Sequence, residues 1–216
     1  MMTDLQKDTV IQAYGRWAPV YDLVFGAVFR AGRRAAIDAA ERVGGRILEV
    51  GVGTGLSLPG YTRRSSIFGV DISAPMLQRA RKRVAELHLD HVEGLEVMDA
   101  EDLAFPDQSF DVVVAQYVVT AVPHPEHALD EFARVLRPGG EIVITSRIGA
   151  EAGLRCAVEK TLMPMTSKLG FRTEFAWDRY VRWADTAPVQ LVERRPLPPL
   201  GHFSLIRFTK QPAHSS

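Results

Sequence analysis

The chain has 216 residues, enough to bury a substantial core in one α/β domain, and its 26 Lys and Arg balance 26 Asp and Glu. That balance, with no long basic run, excludes a dedicated nucleic-acid module. A lone Cys156 excludes an internal disulfide. No cysteine or histidine cluster has zinc-ligand spacing, so no metal and a reducing, cytoplasmic setting are expected. No apolar run reaches the ~18 to 20 residues of a spanning helix, and the start lacks the form of a signal peptide. The charge is nevertheless uneven. Residues 41–146 hold 10 Lys and Arg against 16 Asp and Glu, whereas residues 147–216 hold 11 against 6.

Two helical segments are expected before the core. Thr3-Asp-Leu-Gln6 reads as a capping box, after which Val10, Ile11, Tyr14 and Trp17 recur at helical spacing. Pro19 then opens an apolar segment with Val20, Val24, Ala27, Val28 and Ala31 on one face, widened by Phe25 and Phe29 and abutting Arg30, Arg33 and Arg34. Such a helix fits either packing onto the domain or lying in a lipid headgroup layer. Residues 1–40 are therefore set apart as a helical lid or membrane-association segment, and residues 41–216 as the catalytic domain.

From Arg46 to Thr145 apolar strands alternate with helical patterns, which predicts a parallel sheet covered on both faces. Strands are expected at 46–50, 67–71, 95–98, 110–115 and 141–146, with helices at 56–63, 74–88 and 126–136. The first strand, Arg46-Ile-Leu-Glu49-Val, runs into Gly51, Gly53 and Gly55. Glycines at a strand end let the backbone turn sharply and approach a ligand closely. The pattern E-x-G-x-G-x-G differs from the G-x-G-x-x-G of dinucleotide folds. Glu49, an anion two residues before the first glycine, suits a cationic ligand end better than a phosphate. Asp71, with Ile72 beside it, ends the second strand about 20 residues further on, where ribose-binding acids sit in such folds. Ser73 then reads as an N-cap with Pro75 in the first helical turn. Gln116 and Tyr117 stand at the mouth of the fourth strand.

Beyond the fifth strand, residues 148–186 are mostly helical by pattern and sit where a substrate lid belongs. Two further strands are expected at 189–193 and 203–208, joined by Arg194-Arg-Pro-Leu-Pro-Pro-Leu-Gly201. Trp177, Tyr180 and Trp183 fall three apart and would lean to one side of a helix. That stripe fits core packing, an aromatic surface for a cation, or an interfacial anchor. Arg147 stands at the rim after strand five, with Arg182 behind it. His124 fits an exposed turn or, less economically, a base.

The acid-led glycine run resembles motif I of class I methyltransferases. Tyr14-Gly-Arg-Trp-Ala-Pro-Val-Tyr21-Asp-Leu-Val-Phe-Gly26, Gly51 to Pro59, Gly69 to Leu77 and Gly201 to Phe208 together resemble a bacterial branch of phosphatidylethanolamine N-methyltransferase. The resemblance implies a Rossmann-like fold, a seven-stranded, mostly parallel sheet with an antiparallel last strand. It also implies S-adenosylmethionine as methyl donor and S-adenosylhomocysteine as by-product. The cofactor set it implies is Glu49, Gly51, Gly53, Gly55, Asp71, Ile72, Met76, Asp99, Ala100 and Gln116, with an acid at Asp99 facing the adenine amino group. The activity implied is up to three methylations of phosphatidylethanolamine to phosphatidylcholine, on the inner face of the cytoplasmic membrane as a peripheral protein. The alternative is a soluble C- or O-methyltransferase acting on a quinone precursor. Tyr21, Tyr117 and Tyr180 are the candidates to orient the amine, and Arg147, Trp177, Arg182 and Trp183 the candidates to hold the lipid.

Overall fold

The computed structural model describes residues 29–148, 175–198 and 203–212. The helices expected before Phe29, with Trp17 and Tyr21, and most of the 148–186 insertion lie outside the described residues. Within them, α1 (Arg30–Val43), β1 (Arg46–Val50), β2 (Ser66–Asp71), α2 (Ala74–Glu86), β3 (Val92–Val97), β4 (Phe110–Gln116), α3 (Pro125–Val135), β5 (Leu136–Arg147), α4 (Trp177–Thr186), β6 (Val189–Leu197) and β7 (Phe203–Lys210) follow in order. The helix expected at 56–63 is a single 3-10 turn, Leu58–Gly60. Too few apolar positions recur there to hold a longer one.

The strands form one seven-stranded sheet in the order β3-β2-β1-β4-β5-β7-β6. β1 to β5 pair in parallel, and β7 runs antiparallel to both β5 and β6. The chain winds outward from β1 to β3, then returns to lay β4 against β1. That reversal opens a crevice at the carboxyl ends of β1 and β4, the place where open α/β sheets bind ligands.

Alternation along each strand feeds two cores. Ile47, Val112, Val114 and Val143 turn toward α1 and α2, while Leu48, Val50, Val113, Ala115, Ile142 and Ile144 turn toward α3 and α4. Both faces are therefore apolar, as a covered parallel sheet requires. α1 buries Ala36, Ile37, Ala39 and Ala40 in the first of these cores. The boundary expected at residue 40 thus falls inside a helix that packs on the sheet. α4 is tied to α3 by the Arg179 guanidinium, which donates to both Glu126 oxygens at 2.7 and 2.6 Å, and by Trp183 Nε1, which donates to Asp130 Oδ1 at 2.8 Å.

Candidate functional site

The glycine loop is held by the end of β2, through the Val70 carbonyl and the Asp71 carboxylate. Val70 carbonyl accepts from Gly51 and Val52 N–H at 2.8 and 3.0 Å, so the chain leaves β1 in a tight turn over β2. Asp71 Oδ2 accepts from Gly53 N–H and its Oδ1 from Ser73 N–H, each at 2.8 Å. The carboxylate thereby joins the loop to the start of α2. Each oxygen keeps a second lone pair for a ligand hydroxyl. Burial raises the Asp71 carboxyl, opposed by these two N–H donors. Gly53 has φ +57°, and a Cβ there would meet no protein atom within 4 Å. Its missing side chain leaves a cradle open beside Asp71. Ser73 sits at the N-cap as expected, yet its hydroxyl makes no capping bond; its own N–H donates to Asp71 Oδ1.

Glu49 faces α1 and is only 2% exposed. Its Oε1 accepts from Ser57 Oγ at 2.5 Å and from Gln116 Nε2 at 3.2 Å. Its Oε2, the Tyr61 hydroxyl and Gln116 Oε1 are buried without a well-formed hydrogen bond. Burial pushes the Glu49 carboxyl up to about 7, although the Ser57 hydroxyl, the nearby Tyr61 phenol and the Arg33 charge pull the other way. A buried carboxylate oxygen lacking a donor is costly. A cationic ligand end at the glycine loop would supply that donor, so the residues present fit an adenosyl sulfonium ligand with an α-ammonium group.

The remaining cofactor candidates line the same edge. Ile72 is 41% exposed, an apolar side chain left open beside Asp71. Met76 is buried in α2, Met98 is half-buried, and Ala100 is nearly closed off. Asp99 Oδ1 accepts from Glu101 N–H at 3.0 Å and so shapes its own turn. His124 stands on an exposed turn, where Glu101 accepts from its backbone N–H at 2.8 Å and pairs with Nδ1 at 2.9 Å. Glu101, His124 and His127 bring possible ligand atoms within 4.8 Å of one another, a surface grouping that spacing along the chain did not announce.

Tyr117 follows Gln116 and precedes Val118, whose side chain would collide with any Cβ on Gly51. The tyrosine therefore lies at the crevice. Its φ of +63° is left-handed, which costs a residue with a Cβ about 1–2 kcal/mol. Strain of this kind persists where surrounding structure holds it, often at functional sites. Burial pushes the phenol up to about 12, against the pull of the Thr145 hydroxyl and Arg33.

The other candidates are scattered. Tyr117 faces Thr145 and Tyr180 faces Ser146, neighbouring residues of β5, so the two tyrosines lie on opposite faces of the sheet. Tyr180 is fully buried among Phe175, Trp177 and Phe208. Trp183 is buried against Phe208 with its N–H on Asp130. Two members of the aromatic stripe are thus core packing, and the physical reason is that α4 needs a large apolar face to seat on the sheet. Trp177 is half-buried beneath the Arg194 guanidinium, 4.2 Å from the ring centroid. Arg182 pairs with Asp178 at 2.6 Å on the exposed side of α4, away from that face. Arg147 ends β5 opposite Phe203.

Residues 48–144 match the model of a methyltransferase domain. The chain is 44% identical over 207 residues to a phosphatidylethanolamine N-methyltransferase of Cereibacter sphaeroides, covering 96% of this chain and 100% of that relative. A ubiquinone/menaquinone biosynthesis C-methyltransferase of Methylococcus capsulatus is 32% identical, covering 60% of this chain and 54% of its own. Among solved structures, an S-adenosylmethionine-dependent methyltransferase of Thermotoga maritima superposes with a TM-score of 0.68 at 25% identity, covering 92% of this chain and 98% of that one. With a crevice suited to an adenosyl sulfonium ligand and likeness running end to end with the Cereibacter protein, the chain belongs to the phosphatidylethanolamine N-methyltransferase family of class I S-adenosylmethionine-dependent methyltransferases.

Proposed function

We infer that the protein transfers methyl groups from S-adenosylmethionine to the amine of phosphatidylethanolamine and of its mono- and dimethyl derivatives, giving phosphatidylcholine. The observation that carries this reading is the extent of the similarity. The quinone methyltransferase matches 60% of the chain, whereas the phosphatidylethanolamine relative matches 96%. The shared core serves the cofactor, and the additional length is where substrate is chosen.

The cofactor, when bound, supplies a methyl group already activated on a sulfonium. What is left to the protein is alignment, exclusion of water and management of one proton. Glu49 receives the ammonium end, Gly51, Gly53 and Gly55 leave backbone room, Asp71 accepts from the ribose, and Ile72, Met76, Asp99, Ala100 and Gln116 enclose the rest. Holding the amine in line with the methyl group contributes roughly 7 to 11 kcal/mol in favourable cases. The headgroup ammonium has no lone pair and must lose a proton before each attack. With its phenol pushed up to about 12, Tyr117 stays protonated at neutral pH and orients the amine by hydrogen bonding without taking its proton. Arg147, at the end of β5 opposite Phe203, is the residue we assign to the lipid phosphate.

No helix among the described residues is long and apolar enough to cross a membrane. Peripheral attachment to the inner face of the cytoplasmic membrane, through the N-terminal segment of residues 1–40, completes the reading. Purified protein with radiolabelled S-adenosylmethionine should label monomethyl, dimethyl and trimethyl lipids in vesicles containing phosphatidylethanolamine. Label appearing in quinone precursors, with none in these lipids, would overturn the assignment. Removing residues 1–17 should weaken co-sedimentation with the vesicles.

A further inference from the structure

Three aromatic rings from distant parts of the chain meet beside the crevice. Phe29, just before α1, lies 4.2 Å from Tyr117 between ring centroids, and Phe203, at the start of β7, lies 5.3 Å from each of them. All three are half-buried. We propose that Phe29, Tyr117 and Phe203 form the wall that receives the methylated ammonium of the lipid headgroup. The proposal rests on the phospholipid reading above and names the subsite that reading lacks.

The place is set by contacts on both sides of Tyr117. Gln116 reaches Glu49 at the cofactor loop, and Val118 packs against Gly51. On α1, a Cβ at Gly32 would collide with the Tyr117 hydroxyl, so this one position admits the phenol only because it is glycine. The ring is therefore seated between the cofactor loop and α1. Arg147 stands in register with Phe203, and Arg33 lies within electrostatic reach of Tyr117 and Glu49. Aromatic faces flanked by arginines match a zwitterion, an ammonium beside a phosphodiester.

The chemistry gives the wall a graded role. A primary ammonium has N–H donors for hydrogen bonds, and each methylation removes one of them. The quaternary product has none and is held best by aromatic faces. The rings touch one another, so they present a shared surface and do not enclose the ligand on four sides. The wall therefore contributes least to phosphatidylethanolamine and most to the methylated intermediates.

The test uses the full chain on vesicles of one composition carrying, in turn, phosphatidylethanolamine, its monomethyl and its dimethyl derivative. Phe203→Leu keeps an apolar side chain of similar reach and removes the ring. It should lower kcat/KM for the dimethyl lipid about three- to tenfold and for phosphatidylethanolamine less than twofold, the span expected of one partly exposed cation–π contact. S-adenosylhomocysteine affinity should stay unchanged, and Phe203→Tyr should restore the wild-type pattern. Phe29→Leu provides the same comparison should Phe203→Leu fold poorly. An equal loss on all three lipids, or none on any, would show that the rings only fasten α1 to the sheet. In that case wild-type lipid methylation is intact and the phospholipid reading stands. Wild-type protein that methylates none of the three lipids removes that reading and the wall with it.

Discussion

The crevice has two sides built from different materials. At β1 and β2 the surface proposed for the cofactor is backbone and carboxylate, with Glu49, the glycine loop and Asp71 all within 23 consecutive residues. At β4, β5 and β7 it is aromatic rings and arginines drawn from positions as distant as Phe29, Tyr117, Arg147 and Phe203. The first side binds one invariant small molecule and tolerates little displacement. The second must accept a headgroup whose hydrogen-bonding capacity falls with each turnover, which suits ring faces better than fixed donors.

The sharpest way to break the first side is Asp71→Ala. It removes the proposed ribose acceptor and also the anchor of Gly53 and Ser73 N–H. A lost charged hydrogen-bond acceptor costs about 1.5 to 3 kcal/mol. S-adenosylhomocysteine should bind roughly ten- to a hundredfold more weakly by calorimetry, with all three lipids affected equally. Unchanged affinity would remove Asp71 from the cofactor set.

A second difference between the sides is their response to pH. The Glu49 carboxyl rises from its ordinary 4.5 to about 7, so the folded protein holds this proton more tightly than the unfolded chain does. The group imposes no penalty below pH 4.5, and the penalty grows as pH rises to about 7, reaching roughly 3 kcal/mol in the empty protein. A ligand ammonium prefers the ionised acid. Cofactor affinity should therefore rise up to about tenfold per pH unit below pH 7 and level off above it. It falls again when the ligand amine itself deprotonates, near the usual α-amino range of about 7.7 to 8. Glu49→Gln should abolish the rising limb. A slope that survives this change would belong to another group.

The two sides also differed in how far the chain announced them. The glycine loop, Asp71 and strands β1, β2 and β4 were readable because contiguous residues carry both the turn chemistry and the apolar alternation. The sheet edges were not. β3 begins at Val92, three residues before the expected Leu95, since Glu93 and Gly94 interrupt the apolar pattern where the strand has a neighbour on one side only. β6 continues through Arg194, Arg195 and Pro196, which had the composition of a linker. An edge strand tolerates exposed charge and a proline whose missing N–H faces no neighbour. One inner strand departed too: β5 begins at Leu136, ahead of the Pro138-Gly139-Gly140 turn signal, where a register irregularity absorbs the extra residues. The aromatic wall was invisible for a plainer reason. Its members share no local spacing, and only the sheet order brings residues 29, 117 and 203 together.

Tyr117→Phe probes the boundary between the sides. The ring remains for packing and for the ammonium, while the hydroxyl that orients the amine is lost. Turnover on phosphatidylethanolamine should fall several-fold to about tenfold with cofactor affinity unchanged, because only an interaction used after cofactor binding has been removed. Weakened S-adenosylhomocysteine binding with unchanged turnover would place this hydroxyl among the cofactor contacts.

The smallest catalytic effect is expected on α4. Trp183 is buried, and its N–H bonds Asp130 on α3. Trp183→Phe keeps a ring against Phe208 but deletes that hydrogen bond and leaves Asp130 Oδ1, on an exposed residue, free to take water. The net cost is about 1 kcal/mol of stability, read as a lower thermal midpoint. Turnover and the ranking of the three lipids should not move. A loss confined to the methylated lipids would instead return the α4 stripe to the headgroup and make the aromatic surface larger than Phe29, Tyr117 and Phe203. Equal activity beside reduced stability is the outcome required if α4 serves the sheet and the ligand rings lie across it.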